Sequence, residues 1–207
     1  MGTLLNRRRY MGGGSSLPYD AEVEYLTGSS TAYIATNIYL TNKNSVELKL
    51  SISRVLANEA VFGYGISNTN SRFLLMTAPS SYLRAYWQGT SRSQVYAANT
   101  IYEVIWHKNN VVFKDEQGNT LSSGDLTDLD FTTTYPIDIF GTRTGETSHE
   151  YQAGSIYYFK IYDENDVLIL DLIPVRKGTT GYMFDRVSNS LISNSGSGAF
   201  GVGPDKT

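Results

Sequence analysis

Four groups of side chains in this 207-residue chain have types and spacings that invite chemistry. The first is Tyr82-Leu83-Arg84-Ala85-Tyr86-Trp87-Gln88. In an extended strand successive side chains alternate between faces. Tyr82, Arg84 and Tyr86 then share one face, and Trp87 takes the other, which is also where a core residue would point. Sugar sites combine an exposed ring for stacking with a few polar groups that fix orientation. Tyr82, Arg84, Tyr86 and Trp87 are therefore the candidate glycan-binding residues, with Tyr96 and Tyr102 as extensions. The plainer reading is the surface of a Tyr-rich sandwich, rings packed and hydroxyls wet.

The second group is acidic. Retaining glycoside hydrolysis needs two carboxyl groups about 5–5.5 Å apart, one acid and one nucleophile. Asp125, Asp128 and Asp130 come nearest, and only the last two share a parity; Glu22 and Glu24 share a face elsewhere. The Asp125–Asp130 stretch follows Ser122-Ser123-Gly124 and reads as a loop plugged by Leu126 and Leu129, so no catalytic residue is assigned. The third group, Asp163-Glu164-Asn165-Asp166, offers oxygens, but calcium takes six to eight of them and a four-residue turn does not supply that number alone. No metal site and no cofactor are expected. His107 and His149 are far apart, in a strand end and a polar loop. There is no phosphate loop, no HExxH and no GxSxG. The absence of cysteine removes thiolate ligands, thiol nucleophiles and disulfides. The chain is expected not to be an enzyme.

The fourth group is basic. Residues 1–19, MGTLLNRRRYMGGGSSLPY, hold three arginines and no acid, whereas the remainder holds 14 basic and 20 acidic side chains. This is a cationic arm on an acidic body. Gly12 to Ser16 form a flexible linker by composition. Leu4, Leu5, Arg7, Arg8, Arg9 and Tyr10 are the candidate partner-anchoring residues; a solvated tail is the plainer reading. A net charge of −3 argues against general nucleic-acid binding. No apolar run reaches the length of a membrane span, and a start of Met1–Leu5 with arginines already at positions 7–9 does not make a secretory signal.

The elements that must position these groups are strands. Aromatic residues make up 13% of the chain and charged ones only 18%, a balance that favours half-buried pleated surfaces. In Ser45–Ile52, Val46, Leu48, Leu50 and Ile52 fall on one face, the period of a strand with one wet side. Further strands are predicted at 22–26, 31–39, 60–66, 72–77, 82–87, 93–97, 100–107, 110–115, 136–141, 154–163, 167–173, 181–184 and 190–193. Short turns rich in Asn, Asp or Gly separate several of them: 108–110, 116–119 and 163–166. The single helix candidate, Val55–Glu59, is one turn long. A dozen or more strands bury their apolar faces best as an all-β, two-sheet antiparallel jelly-roll sandwich, here with an extended N-terminal arm. The domains are then 1–19, the arm, and 20–207, the body.

Six motifs add a resemblance. Glu24-Tyr25-Leu26 followed by Gly28 to Ile38 resembles the opening of concanavalin A-like, laminin-G-like jelly-roll domains, which are abundant in phages and prophages of gut bacteria. Phe62-Gly63 and Phe140-Gly141 resemble that family's paired strand ends, and Tyr157 to Asp163 its "IYSFKIYD" strand. Leu172 to Arg176 with Gly181 to Asp185 resembles "FVPVRR…GYMYD", and Ser195 to Phe200 with Gly203-Pro204 its closing motif. The resemblance spans residues 22–205; Ala35 stands where the family has Asp. Pro174 is read as a strand end, and Gly196 and Gly198 as positive-φ positions. The resemblance implies a non-enzymatic virion structural or decoration protein, surface-exposed and anchored to capsid or tail proteins through the arm. The alternative is a carbohydrate-binding adhesion module for host polysaccharide, on the virion or a bacterial surface; a glycoside hydrolase is the third reading. Jelly-roll virion proteins are often oligomeric, so a homo-oligomer stays open; no nucleic acid and no membrane are expected as partners.

Overall fold

The computed structural model of the chain describes residues 17–29, 31–53, 59–65, 72–87, 90–127, 130–145, 149–151 and 154–207, the stretch 149–151 by its backbone only. Leu4, Leu5, Arg7, Arg8, Arg9 and Tyr10 lie outside these residues, as do Gln88, Asp128, Leu129 and most of the helix candidate. Among the described residues there is no helix, and so none long and apolar enough to cross a membrane.

Nineteen strands follow one another in the described residues: β1 Ala21–Glu22, β2 Leu26–Thr27, β3 Ile34–Ala35, β4 Ser45–Ile52, β5 Ala60–Tyr64, β6 Phe73–Ala78, β7 Tyr82–Trp87, β8 Thr90–Val95, β9 Ile101–His107, β10 Asn110–Asp115, β11 Thr120–Asp125, β12 Asp138–Ile139, β13 Gly141–Arg143, β14 His149–Tyr151, β15 Gly154–Tyr162, β16 Leu168–Lys177, β17 Thr180–Asp185, β18 Ser190–Ile192 and β19 Gly201–Val202. They form two sheets. The larger runs β11-β10-β9-β4-β15-β16-β17-β18, with β1 beside β16, β2 beside β15 and β19 beside β2. The smaller runs β14-β13-β5-β6-β7-β8, with β12 joining β3 to β5. Pairing is antiparallel apart from Arg143 opposite Tyr64. The protein is an all-β, two-sheet antiparallel sandwich, as its period of two predicts.

The core lies between the sheets. Val46, Leu48, Leu50 and Ile52 of β4 are all buried, on the face their alternation assigns. Phe62, Phe73, Leu75, Leu83, Ala85 and Trp87 meet them from the smaller sheet. At the centre Phe73 stacks on Trp106 with ring centroids 4.0 Å apart, and Phe62 and Trp87 meet Trp106 edge-on at 6.5 and 6.2 Å. Phe200 closes one end against Phe140, centroids 4.8 Å apart.

Several expectations are corrected. Pro174 does not end a strand but sits inside β16, opposite Met183. The β15 ladder stops at Leu172, and the Pro174 carbonyl accepts from the Val23 amide, so the proline has a neighbour that asks for its oxygen and not for an N–H. Gly196 and Gly198 are not among the positive-φ residues. They are needed for close approach, since a Cβ would lie 2.0 Å from the Thr31 carbonyl at Gly196 and 2.3 Å from its hydroxyl at Gly198. Asp125, read as the start of a loop, ends strand β11, and His149, read in a polar loop, lies in β14. Tyr19, read as the end of the arm, packs edge-on against Phe184 at 5.0 Å.

Candidate functional site

On β7 the parity reading holds for all four residues. Tyr82, Arg84 and Tyr86 point outward and are half-buried, while Leu83, Ala85 and Trp87 are buried. Trp87 is fully enclosed, edge-on to Phe73 and Phe131 at 5.2 and 5.4 Å, so it cannot meet a ligand. Tyr96 and Tyr102 are corrected likewise: both belong to the core, and the Tyr102 hydroxyl accepts from the Ala97 amide at 2.9 Å. The outward set is also engaged. Arg84 donates Nε to Ser93 Oγ at 2.9 Å and Nη1 to the Tyr86 hydroxyl at 2.8 Å. The Tyr86 ring packs against buried Ala60, Leu74 and Met76 and carries the Arg72 guanidinium 4.0 Å from its centroid. A sugar stacking on Tyr86 would have to displace that cation.

The larger sheet presents a different outer face. The registers of β15, β4, β9 and β10 place outward residues in rows: Tyr158, Lys49, Glu103 and Lys114; then Lys160, Glu47, Ile105 and Val112; then Tyr162, Ser45, His107 and Asn110. Rows are about 7 Å apart, two residues of strand rise. A bulge between Ile156 and Tyr158 inserts Tyr157, so two consecutive tyrosines are half-exposed where alternation would bury one. Tyr157 lies 5.3 Å from the ring of Tyr25 and beneath Lys49, 5.9 Å from its Nζ.

Each carboxylate in the middle of this face holds a phenol and an ammonium. Tyr158 donates to Glu103, which Lys114 approaches at 3.8 Å. Tyr162 donates to Glu47 at 3.1 Å, which Lys160 approaches at 3.6 Å. Burial first, then the bond to Glu103 and its charge, push the Tyr158 phenol well above the ordinary range. Burial and the Glu47 charge raise Tyr162 to about 12. Tyr157 is also raised, by burial and then by Tyr25, Glu116 and Glu24, against a lowering bond from Ser51.

Two depressions open on this face. One, of ≈ 440 Å³, is lined by Tyr157, Tyr158, Ile101, Lys49, Glu24 and Glu116, with Lys206 at its edge. The other, of ≈ 200 Å³, is lined by Tyr162, Ile105, Glu47, Ser45, His107 and Asp166. Both combine a ring edge, an aliphatic side chain and several polar groups. A third, ≈ 290 Å³, between Ile34–Ile38 and Leu170, Leu172 and Ile192, is mostly aliphatic. Ala35 lines it, its amide donating to Ser195 Oγ at 3.1 Å.

The second depression brings together Ser45, His107 and Asp166, the residue types of a nucleophilic triad. Ser45 Oγ lies 2.9 Å and Asp166 Oδ1 3.8 Å from the same nitrogen, Nδ1 of His107. A triad needs its serine and carboxylate on opposite ring nitrogens, so the geometry is that of an anchored imidazole. Three of the acidic candidates have partners: Asp125 accepts from Asn110 at 2.7 Å, Asp130 from Asn42 at 3.4 Å, and Glu22 pairs with Lys206 at 3.7 Å, while Glu24 lines the first depression. In the 163–166 turn, Asp163 Oδ1 accepts from the Asn165 and Val167 amides at 2.8 and 2.9 Å, and Asp166 and Glu164 face Lys108 and Lys43 at 3.5 and 3.7 Å. No cluster of three metal-ligating side chains occurs among the described residues.

No family model matches the chain, and no curated protein matches it by sequence. Solved structures do match. One is the 1.50 Å crystal structure of a protein from Bacteroides ovatus ATCC 8483 described as a "putative carbohydrate binding protein". The TM-score is 0.60 at 12% identity, covering 90% of this chain and 61% of that one. The likeness is one of fold.

Proposed function

We propose that the chain is a non-catalytic carbohydrate-binding β-sandwich whose sugar platform is the outer face of the larger sheet. The observation that carries this is the pairing, on one face, of two depressions each edged by a half-buried tyrosine and ringed by hydrogen-bonding side chains. That is the composition a sugar needs: an apolar ring for its C–H face and fixed polar groups for its hydroxyls. The fold likeness to a protein described as carbohydrate binding supports the same reading. A non-catalytic role fits Glu47 and Glu103, each of which has a lysine and a phenol beside it and neither of which is arranged to deliver a proton. The virion role rests on the sequence resemblance alone, and the arm that would anchor it lies outside the described residues.

The test is a glycan array probed with the full chain and with Tyr162→Ala and Tyr86→Ala. The proposal expects a bound glycan class lost in Tyr162→Ala and kept in Tyr86→Ala. Loss only in Tyr86→Ala would move the site to the smaller sheet, and equal loss in both would overturn its assignment to the larger one. An array with no bound glycan would remove the carbohydrate reading.

A further inference from the structure

The two depressions share no lining residue, yet they open on the same face of the same three strands. Tyr158 edges one and Tyr162 edges the other. Four residues of strand separate them, about 13 Å at the rise of a β-strand. That span exceeds a single sugar ring. The row between the two tyrosines offers Lys160 together with Glu47 and Ile105 of the second depression, so the path from one ring to the other carries donors, an acceptor and an aliphatic contact. Charge alternates across this ladder: Lys114, Glu103 and Lys49 in one row, Lys160 beside Glu47 in the next. The alternation leaves no field of one sign to select a polyanion.

Resting on the carbohydrate reading, we infer that the ligand is an internal stretch of a neutral polysaccharide, lying along β4 and β15 with one sugar against Tyr157 and Tyr158 and another against Tyr162. Recognition is then by two subsites on one chain. Each alone is weak, and together they act as a linked pair whose affinity depends on a ligand long enough to reach both.

The experiment is calorimetric titration of the full chain with size-graded oligosaccharides, one to eight sugars, from β-glucan, xylan and mannan, and with polygalacturonate as the polyanion. Affinity is expected to climb steeply with length until both depressions are spanned and then to level off. Tyr157→Ala and Tyr162→Ala should each weaken the longest ligand about tenfold, as loss of one stacking ring does. Tyr157→Phe and Tyr162→Phe keep the rings and should retain most of the affinity, which separates lost contact from lost folding. A monosaccharide bound as tightly as the octasaccharide would overturn the two-subsite inference and leave the carbohydrate reading standing. Polygalacturonate bound more tightly than the neutral chains would overturn the neutral assignment. If none of the ligands binds, the two-subsite inference falls, and the glycan array decides the carbohydrate reading separately.

Discussion

The two outer faces of the sandwich are built from the same materials and end up in opposite states. On the smaller sheet Tyr86 is held from three sides: aliphatic side chains beneath, Arg84 at its hydroxyl and Arg72 over its ring. On the larger sheet the tyrosine hydroxyls are spoken for by Glu47 and Glu103, but their rings border open depressions. An arginine just before the neighbouring strand, Arg72, covers the ring, while the one two residues away, Arg84, takes the hydroxyl. A carboxylate one strand away (Glu47) or two strands away (Glu103) instead fixes the hydroxyl and leaves the ring edge exposed. The abundance of tyrosine is thus a poor guide to a binding face, and the partner each ring already has is a better one.

The sharpest way to break this contrast is on β7 itself. Trp87→Ala is expected to cost about 3–5 kcal/mol, the range for emptying a large aromatic site in a core, measured by urea unfolding followed by circular dichroism. A folded Trp87→Ala protein of near-normal stability would return Trp87 to the list of surface residues. Tyr86→Ala should cost about 1–2 kcal/mol, since the ring is only partly buried, and should change sugar affinity less than twofold. Tyr162→Ala should cost a comparable amount, about 1–2 kcal/mol, since its ring is also half-buried and its hydroxyl is held by Glu47, but with the larger loss of binding; interchange of the two binding phenotypes would invert the assignment of faces.

Alkaline pH sharpens the contrast without a ligand. Tyr158 and Tyr162 hold their protons above the usual phenol range of 10.0 in the folded chain, Tyr162 up to about 12. The unfolded chain therefore releases these protons first. Their contribution to stability is whole below pH 10 and declines as pH rises toward 12. A Tyr158→Phe, Tyr162→Phe double variant should show a flatter decline over that window; an unchanged slope would mean these phenols are not held as described. The smallest effect belongs to the lysines. Lys114→Ala, which removes a 3.8 Å ion pair at a partly exposed site, should change stability by about 0.2–1 kcal/mol, less at high salt.

Much of the scaffold was readable from residue order. The alternation in Ser45–Ile52 gave β4 with its inner face, and parity alone pointed Trp87 away from Tyr86. Thr120–Asp125 was missed because it has no apolar alternation: its residues are mostly exposed, and its strand form comes from pairing with β10. Pro174 was misread because the partner that tolerates it, the segment at Val23, is remote in sequence. The candidate site was hidden for the same reason. Tyr162 and Glu47 are 115 residues apart, and only the strand register sets them side by side. The local signal that existed was Tyr157-Tyr158, a doublet that breaks the period of two; read as a bulge, it would have pointed to this face.

Burial of the tryptophans has a practical consequence. The chain has two indoles against 16 phenols, and both indoles are wholly enclosed between the sheets. A ligand settling on either outer surface touches tyrosine and leaves tryptophan in an unchanged setting. Indole emission will therefore track loss of the fold and stay silent during binding, whereas tyrosine ultraviolet difference spectra will respond to the ligand. The protein carries two optical channels, one for its interior and one for its surface.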